Sequence, residues 1–263
     1  MLRTRVITAA ISLIVVLAML FWGIIPWSIT VWLVTVVAVA EFSEIAGFRP
    51  WGVVSFWAYA VATLVELWPD WHLIYVVQII IGITLLLPVL MKNTVTLAQS
   101  AMVLVGALYI GYGGASLDGL RSLYRGWAWL LLLLITIWMT DTVAYFVGNR
   151  VKGPKLWPTI SPGKTVSGAV GGIIGGIVGA TVFGYFAFPR FDLIAYIVLG
   201  ALISVFGQLG DLVESAYKRS AGVKDSGHLL PGHGGILDRI DSLLFAAPLA
   251  YHLISSGVHT WFN

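Results

Sequence analysis

Residues 127–147 read WAWLLLLLITIWMTDTVAYFV, a stretch whose one charged residue is Asp141. A run of ~20 apolar residues is the length that carries an α-helix across the hydrocarbon of a bilayer. Leu130 to Leu134 are consecutive leucines, so the stretch lacks the alternation of a membrane β-barrel strand. Without water, a spanning segment has to satisfy its own backbone hydrogen bonds, and a helix does this.

The same texture recurs on both sides. Spans are expected at roughly 6–22, 24–41, 51–68, 72–90, 95–112, 127–147, 168–188, 192–209 and 240–257. The expected fold class is all-α: a polytopic integral membrane protein with about nine transmembrane helices. Of the 263 residues 59% are hydrophobic and only 10% charged, whereas a soluble domain carries ~25% charged residues to cover its surface. A mean hydropathy of +0.93 excludes intrinsic disorder. The absence of cysteine excludes disulfides, thiolate metal sites and cysteine nucleophiles. One membrane domain, 1–263, is expected, with 1–125 mainly scaffold spans and 126–263 the chemically active half. The first span follows Arg3 and Arg5 as a signal peptide would. Ala38-Val39-Ala40 lies too far beyond an h-region of ~7–15 residues to be its cleavage site, so the span reads as an uncleaved anchor.

Lys and Arg mark cytoplasmic loops. With the N-terminus inside, Arg3, Arg5, Arg49, Lys92, Arg150, Lys152, Lys155, Lys164, Lys218, Arg219, Lys224 and Arg239 face the cytoplasm, against Arg121, Arg125 and Arg190 outside. This 12-to-3 division of the 15 basic residues favours an N-in, C-out protein of the inner (cytoplasmic) membrane, with cytoplasmic loops 148–167 and 210–239. The net charge of +3 then reports topology, and no nucleic-acid partner is expected. Glu41 and Glu44, at the end of the second span, read as solvated interface carboxylates. Gly168-Gly172-Gly176 and Gly171-Gly175-Gly179 form two small-xxx-small rows suited to close helix packing.

The polar chemistry lies in the second half. An ionisable residue within a span is costly and marks a candidate site, which singles out Asp141, with Tyr145 and Gly148 on the same helical face; a wet aspartate paired with a loop lysine is the plainer alternative. The loop that follows is cationic and contains Ser161-Pro162-Gly163-Lys164-Thr165, suited to phosphates or anionic headgroups. Five of the twelve acids fall between Asp211 and Asp241. A helix continuing past 209 would place Asp211, Ser215 and Lys218 on one face beside Glu214. Pro231-Gly232-His233-Gly234-Gly235 precedes the last span, and N–H groups exposed at such a helix start form an anion site. Carboxylates, basic residues and a glycine-rich helix start together suit Mg²⁺-assisted phosphoryl chemistry.

The stretch Ser215–Asp241 resembles the signature of the phosphatidate cytidylyltransferase (CDP-diacylglycerol synthase) family, through Ser215, Lys218-Arg219, Lys224-Asp225, Pro231, His233-Gly234-Gly235, Asp238-Arg239 and Asp241. Asp141, Tyr145 and Ser161–Thr165 are similar to the family's upstream motifs, although the family usually has lysine at Gly163 and Trp-Glu-Gly at Val166-Ser167-Gly168. The resemblance implies transfer of CMP from CTP to phosphatidic acid by a Mg²⁺-dependent integral membrane enzyme, with a second cation such as K⁺ and a homodimeric state as further expectations. It implies Asp211, Asp238 and Asp241 as metal ligands. Lys218, Arg219, Lys224 and Arg239 would hold phosphates. His233 would bind pyrophosphate, move a proton or cap the helix. Asp141, Tyr145, Ser161, Lys164, Thr165, Ser215, Lys224, Asp225, Gly234 and Gly235 would contact substrate. Competing classes are a CTP-dependent polyprenol or phytol kinase, which would transfer the γ-phosphate, and a cation-coupled transporter. Transporters are often built from paired halves, and no internal repeat is visible here.

Overall fold

The computed structural model describes residues 2–67, 74–188, 192–229, 232 and 234–257. Among them are nine helices and one hairpin: α1 (Leu2–Trp22), α2 (Ile24–Ile45), α3 (Val53–Leu67), α4 (Ile74–Leu90), α5 (Leu97–Ser122), α6 (Gly126–Val151), β1 (Lys155–Trp157), β2 (Ser161–Thr165), α7 (Val166–Ala187), α8 (Leu193–Ser220) and α9 (Leu237–Ser255). Each expected span falls on one helix. Helices α2, α5, α6, α7 and α8 are long and apolar enough to cross a membrane, and the apolar parts of α1, α3 and α4 are shorter. The protein is an all-α membrane protein with one small β-hairpin.

Three boundaries differ from expectation. Helix α5 runs to Ser122 rather than 112, so Asp118 and Arg121 belong to its last turns. Helix α8 runs to Ser220, so residues 210–220 are helix and not loop. Helix α6 runs to Val151 and α7 begins at Val166, so the expected loop 148–167 narrows to 152–165 and contains the antiparallel pair β1–β2, with Lys155 opposite Thr165 and Trp157 opposite Ser161. Pro154, Pro158 and Pro162 exclude a helix from this stretch, since proline lacks the N–H and restricts the residue before it.

The described residues divide into two compact units. The first is Met1–Ala115 with Ala221–Arg239; the second is Ser116–Ser220 with Ile240–Asn263. In the first unit α2 packs on α1 and α3, over a core that includes Val39, Ala58, Val61, Val65 and Ile110.

In the second unit α7 packs against α6 and α8, and the two glycine rows explain how. A Cβ at Gly175 would lie 2.6 Å from a Val143 methyl and 2.9 Å from the Met139 carbonyl, and one at Gly172 would lie 3.0 Å from the Thr140 carbonyl. Lipid is as apolar as leucine, so helices gain by close backbone approach, which small residues permit. The Thr140 hydroxyl donates to Ser204 Oγ at 2.9 Å, joining α6 to α8.

Candidate active site

In the second unit, the last turns of α8 present Asp211, Glu214, Ser215 and Lys218 at helical spacing. Asp211 Oδ2 lies 2.6 Å from Lys164 Nζ, which β2 projects towards it, and Ser215 Oγ donates to Asp211 Oδ1 at 3.3 Å. Lys218 Nζ pairs with Glu214 Oε2 at 3.0 Å. A Cβ at Gly210 would sit 2.7 Å from the Asp241 carbonyl and 2.6 Å from Phe245 Cβ. This glycine therefore lets α8 and α9 cross closely enough to bring Asp241 towards Asp211.

Asp241 is 8% exposed, and its Oδ1 accepts from the Ser242 N–H at 2.6 Å. It is within hydrogen-bonding reach of Glu214 and feels the charges of Asp211 and Lys218. The charges of Asp211 and Asp241 also act on Asp141, opposed by Lys164. Asp141 is exposed and borders a shallow crevice lined by Ile137, Thr140, Ile203, Ser204 and Gly207. Three carboxylates, Asp141, Asp211 and Asp241, thus act on one another electrostatically, with Lys164 paired to Asp211. Like charges at short range are unfavourable unless a cation offsets them.

In the first unit, Asp238 Oδ2 accepts from the Ser226 and Gly235 N–H groups, both at 2.9 Å. Glu41 Oε1 accepts from the Ile236 N–H, and Oε2 from the Leu237 N–H and the Ser226 hydroxyl, at 2.9, 2.9 and 2.8 Å. Two expectations are corrected here. Glu41 is 5% exposed rather than solvated, while Glu44 is exposed. The N–H groups at the start of α9 do not await a phosphate: Gly235, Ile236 and Leu237 already donate to the chain's own carboxylates, which complement the helix dipole. Glu41 is the site residue that sequence reasoning missed. Its signal was an acid closing an otherwise apolar run, which does not disclose a partner far along the chain.

The other expected residues are placed as follows. The structure brings Asp141, Lys164, Asp211, Ser215 and Asp241 together. Lys218 is 7% exposed and pairs with Glu214. Thr165 is the N-cap of α7 and accepts from the Gly168 N–H at 3.1 Å; its hydroxyl is engaged there. Tyr145 is exposed and meets the Phe146 ring edge-on. Ser161 is half-buried, while Arg219, Lys224, Asp225 and Arg239 are exposed. Gly234 is half-buried with φ +82°, a left-handed conformation that glycine adopts without strain. His233 and Pro231 lie outside the described residues.

Among the described residues no three carboxylate or histidine side chains form a ready-made metal cage. Mg²⁺ typically takes one or two carboxylates and completes its shell with water and substrate phosphates. Asp211 and Asp241 are oxygen donors of that kind.

The sequence profile of the Cytidylyltransferase family matches residues 3–256. The chain belongs to this family. It is 35% identical over 254 residues to the phosphatidate cytidylyltransferase of Staphylococcus haemolyticus, covering 94% of this chain and 96% of that one. To the protein of the same name from Staphylococcus aureus strain COL it is 36% identical over 260 residues, with the same coverage. To that of Bacillus subtilis strain 168 it is 45% identical over 168 residues, which span 64% of this chain and 62% of the relative. The family match takes in both carboxylate clusters.

Proposed function

We propose that this protein transfers CMP from CTP to phosphatidic acid, forming CDP-diacylglycerol and pyrophosphate for phospholipid synthesis. The observation that carries the reading is the crowding of Asp141, Asp211 and Asp241 beside Lys164 in a chain of the cytidylyltransferase family. A phosphate oxygen of phosphatidic acid attacks the α-phosphorus of CTP. The bond to the bridging oxygen breaks, and pyrophosphate leaves with that electron pair. The attacking phosphate is already an anion, so no strong base is needed; alignment and the offsetting of like charge are.

Asp211 and Asp241 would hold Mg²⁺, and the family resemblance adds Asp238. When bound, the metal offsets phosphate charge. Lys164, exposed enough to change partner, would bind phosphate oxygens, as would Arg219, Lys224 and Arg239. Ser215 orients the Asp211 carboxylate. Asp141, Tyr145 and Ser161 would contact substrate. K⁺ is the further cation the resemblance suggests, and a homodimer the assembly.

The chain would cross the inner membrane nine times, N-in and C-out, with the active site on the cytoplasmic side where CTP is found. The 12-to-3 division of basic residues supports this orientation. Reporter fusions at the N-terminus and within 148–167 and 221–229 are expected to report cytoplasm. A fusion at Asn263, which lies outside the described residues, is expected to report the opposite side; a cytoplasmic result there removes the nine-crossing arrangement. The activity is tested by incubating purified protein with phosphatidic acid, α-labelled CTP and Mg²⁺. Label in a CDP-lipid with release of pyrophosphate is expected. Label in free CDP with a new lipid phosphate would instead establish a kinase.

A further inference from the structure

We infer that Glu41 is a positioning residue for the metal-binding carboxylate of Asp238, acting through the loop 226–237. This rests on the reading of Asp238 as a Mg²⁺ ligand given above. Glu41 stands in the last turns of α2, and burial of its carboxylate is costly unless donors surround it. It has three: the Ile236 and Leu237 N–H groups at the start of α9 and the Ser226 hydroxyl. The same Ser226 hydroxyl accepts from the Asp238 N–H at 3.3 Å, and the Ser226 and Gly235 N–H groups donate to Asp238 Oδ2. Glu41 therefore holds the two chain segments that hold the Asp238 side chain.

The fit leaves no room for variation. A Cβ at Gly227 would lie 2.7 Å from Glu41 Oε1, and a Cβ at Gly235 would collide with Ser226 Oγ and Glu41 Oε2. Both glycines admit the carboxylate to the loop. A glutamine at position 41 replaces one accepting oxygen by an NH₂ group, which faces N–H or O–H donors it cannot accept from. An aspartate keeps the charge but is one methylene shorter. Neither change touches a substrate-binding group.

The test compares wild type with Glu41→Gln, Glu41→Asp and, as control, Glu44→Gln, whose side chain is exposed on the same helix. Amide hydrogen exchange over 226–238 and the Mg²⁺ concentration for half-maximal CMP transfer are measured together. Losing an outer partner of a metal ligand typically costs ~10–100-fold in metal affinity or activity. Glu41→Gln is expected to raise the Mg²⁺ half-saturation at least about tenfold and to speed loop exchange by a similar factor. Excess Mg²⁺ should recover most of kcat. Glu41→Asp should fall between, and Glu44→Gln should match wild type. Unchanged loop exchange in Glu41→Gln overturns the inference, and so does faster exchange with wild-type Mg²⁺ dependence. Should Glu41→Gln not fold, Ser226→Ala deletes the shared hydroxyl alone and is expected to shift both quantities the same way, severalfold; wild-type values would overturn the inference. A wild-type protein without CMP transfer would instead remove the proposed function, and loop exchange would then decide whether Glu41 anchors the loop.

Discussion

Two groups of carboxylates solve different problems. Glu41 accepts from two backbone N–H groups and one hydroxyl, and one oxygen of Asp238, Oδ2, accepts from two more N–H groups. These donors fasten Glu41 into the loop and hold the Asp238 side chain in place. Around Asp211 the neighbours are other carboxylates, Asp141 and Asp241, and the cation of Lys164. Such crowding stores unfavourable charge that a further cation or a polarised substrate relieves. The surroundings of Glu41 mark a positioning role, and those of Asp211 a chemical one.

The contrast breaks first if Asp211→Asn behaves like Glu41→Ala. Asp211→Asn is expected to cut kcat/KM by roughly 10²–10³, the loss typical of one preorganised charge in a water-poor site, with an unchanged Tm in detergent. Glu41→Ala is expected to lower Tm as well, because it strands buried N–H donors at about 1–3 kcal/mol each. Parallel steady-state kinetics and thermal unfolding check both. Equal Tm losses would mean that the clusters do not differ in kind.

Lys164→Ala comes next in size. A charge-assisted hydrogen bond contributes ~1.5–3 kcal/mol, so kcat/KM should fall roughly 10- to 150-fold for CTP or phosphatidic acid. Its side chain is 28% exposed, so Tm should stay constant. Unchanged kinetics for both substrates would leave the basic loop as a topology signal. Ser215→Ala should have the smallest effect, a severalfold loss in kcat/KM, since its bond to Asp211 is long at 3.3 Å; a loss as large as that of Asp211→Asn would give the hydroxyl a direct role.

What was legible in the sequence follows from the range of the interactions. Helices α1 to α9 were legible because an apolar run without alternation leaves a membrane segment one way to satisfy its backbone. The extension of α8 beyond 209 was not legible, because polar residues end the apolar run there; only the shared face of Asp211, Ser215 and Lys218 on a continuing helix was. The glycine rows of α7 were read as packing, and α6 fills them. The hairpin was not legible, since β1 is only three residues long and Pro162 interrupts β2. The partners of Glu41 were not legible either: Ile236 and Leu237 lie 195 and 196 residues away, and no local pattern encodes such a pairing. The same closure converted the glycine-rich helix start from an open anion site into one filled by the chain.

The central claim, that Asp211 and Asp241 form a cation site, is tested most directly by Mn²⁺ binding, read by electron paramagnetic resonance on purified protein with and without CTP. Wild type is expected to bind Mn²⁺ and to bind it more tightly when CTP supplies phosphate ligands. Asp211→Asn and Asp241→Asn should each weaken binding by tenfold or more, the lower end of about 10–100-fold known for disturbing metal shells. Wild-type Mn²⁺ affinity in both variants would contradict the account.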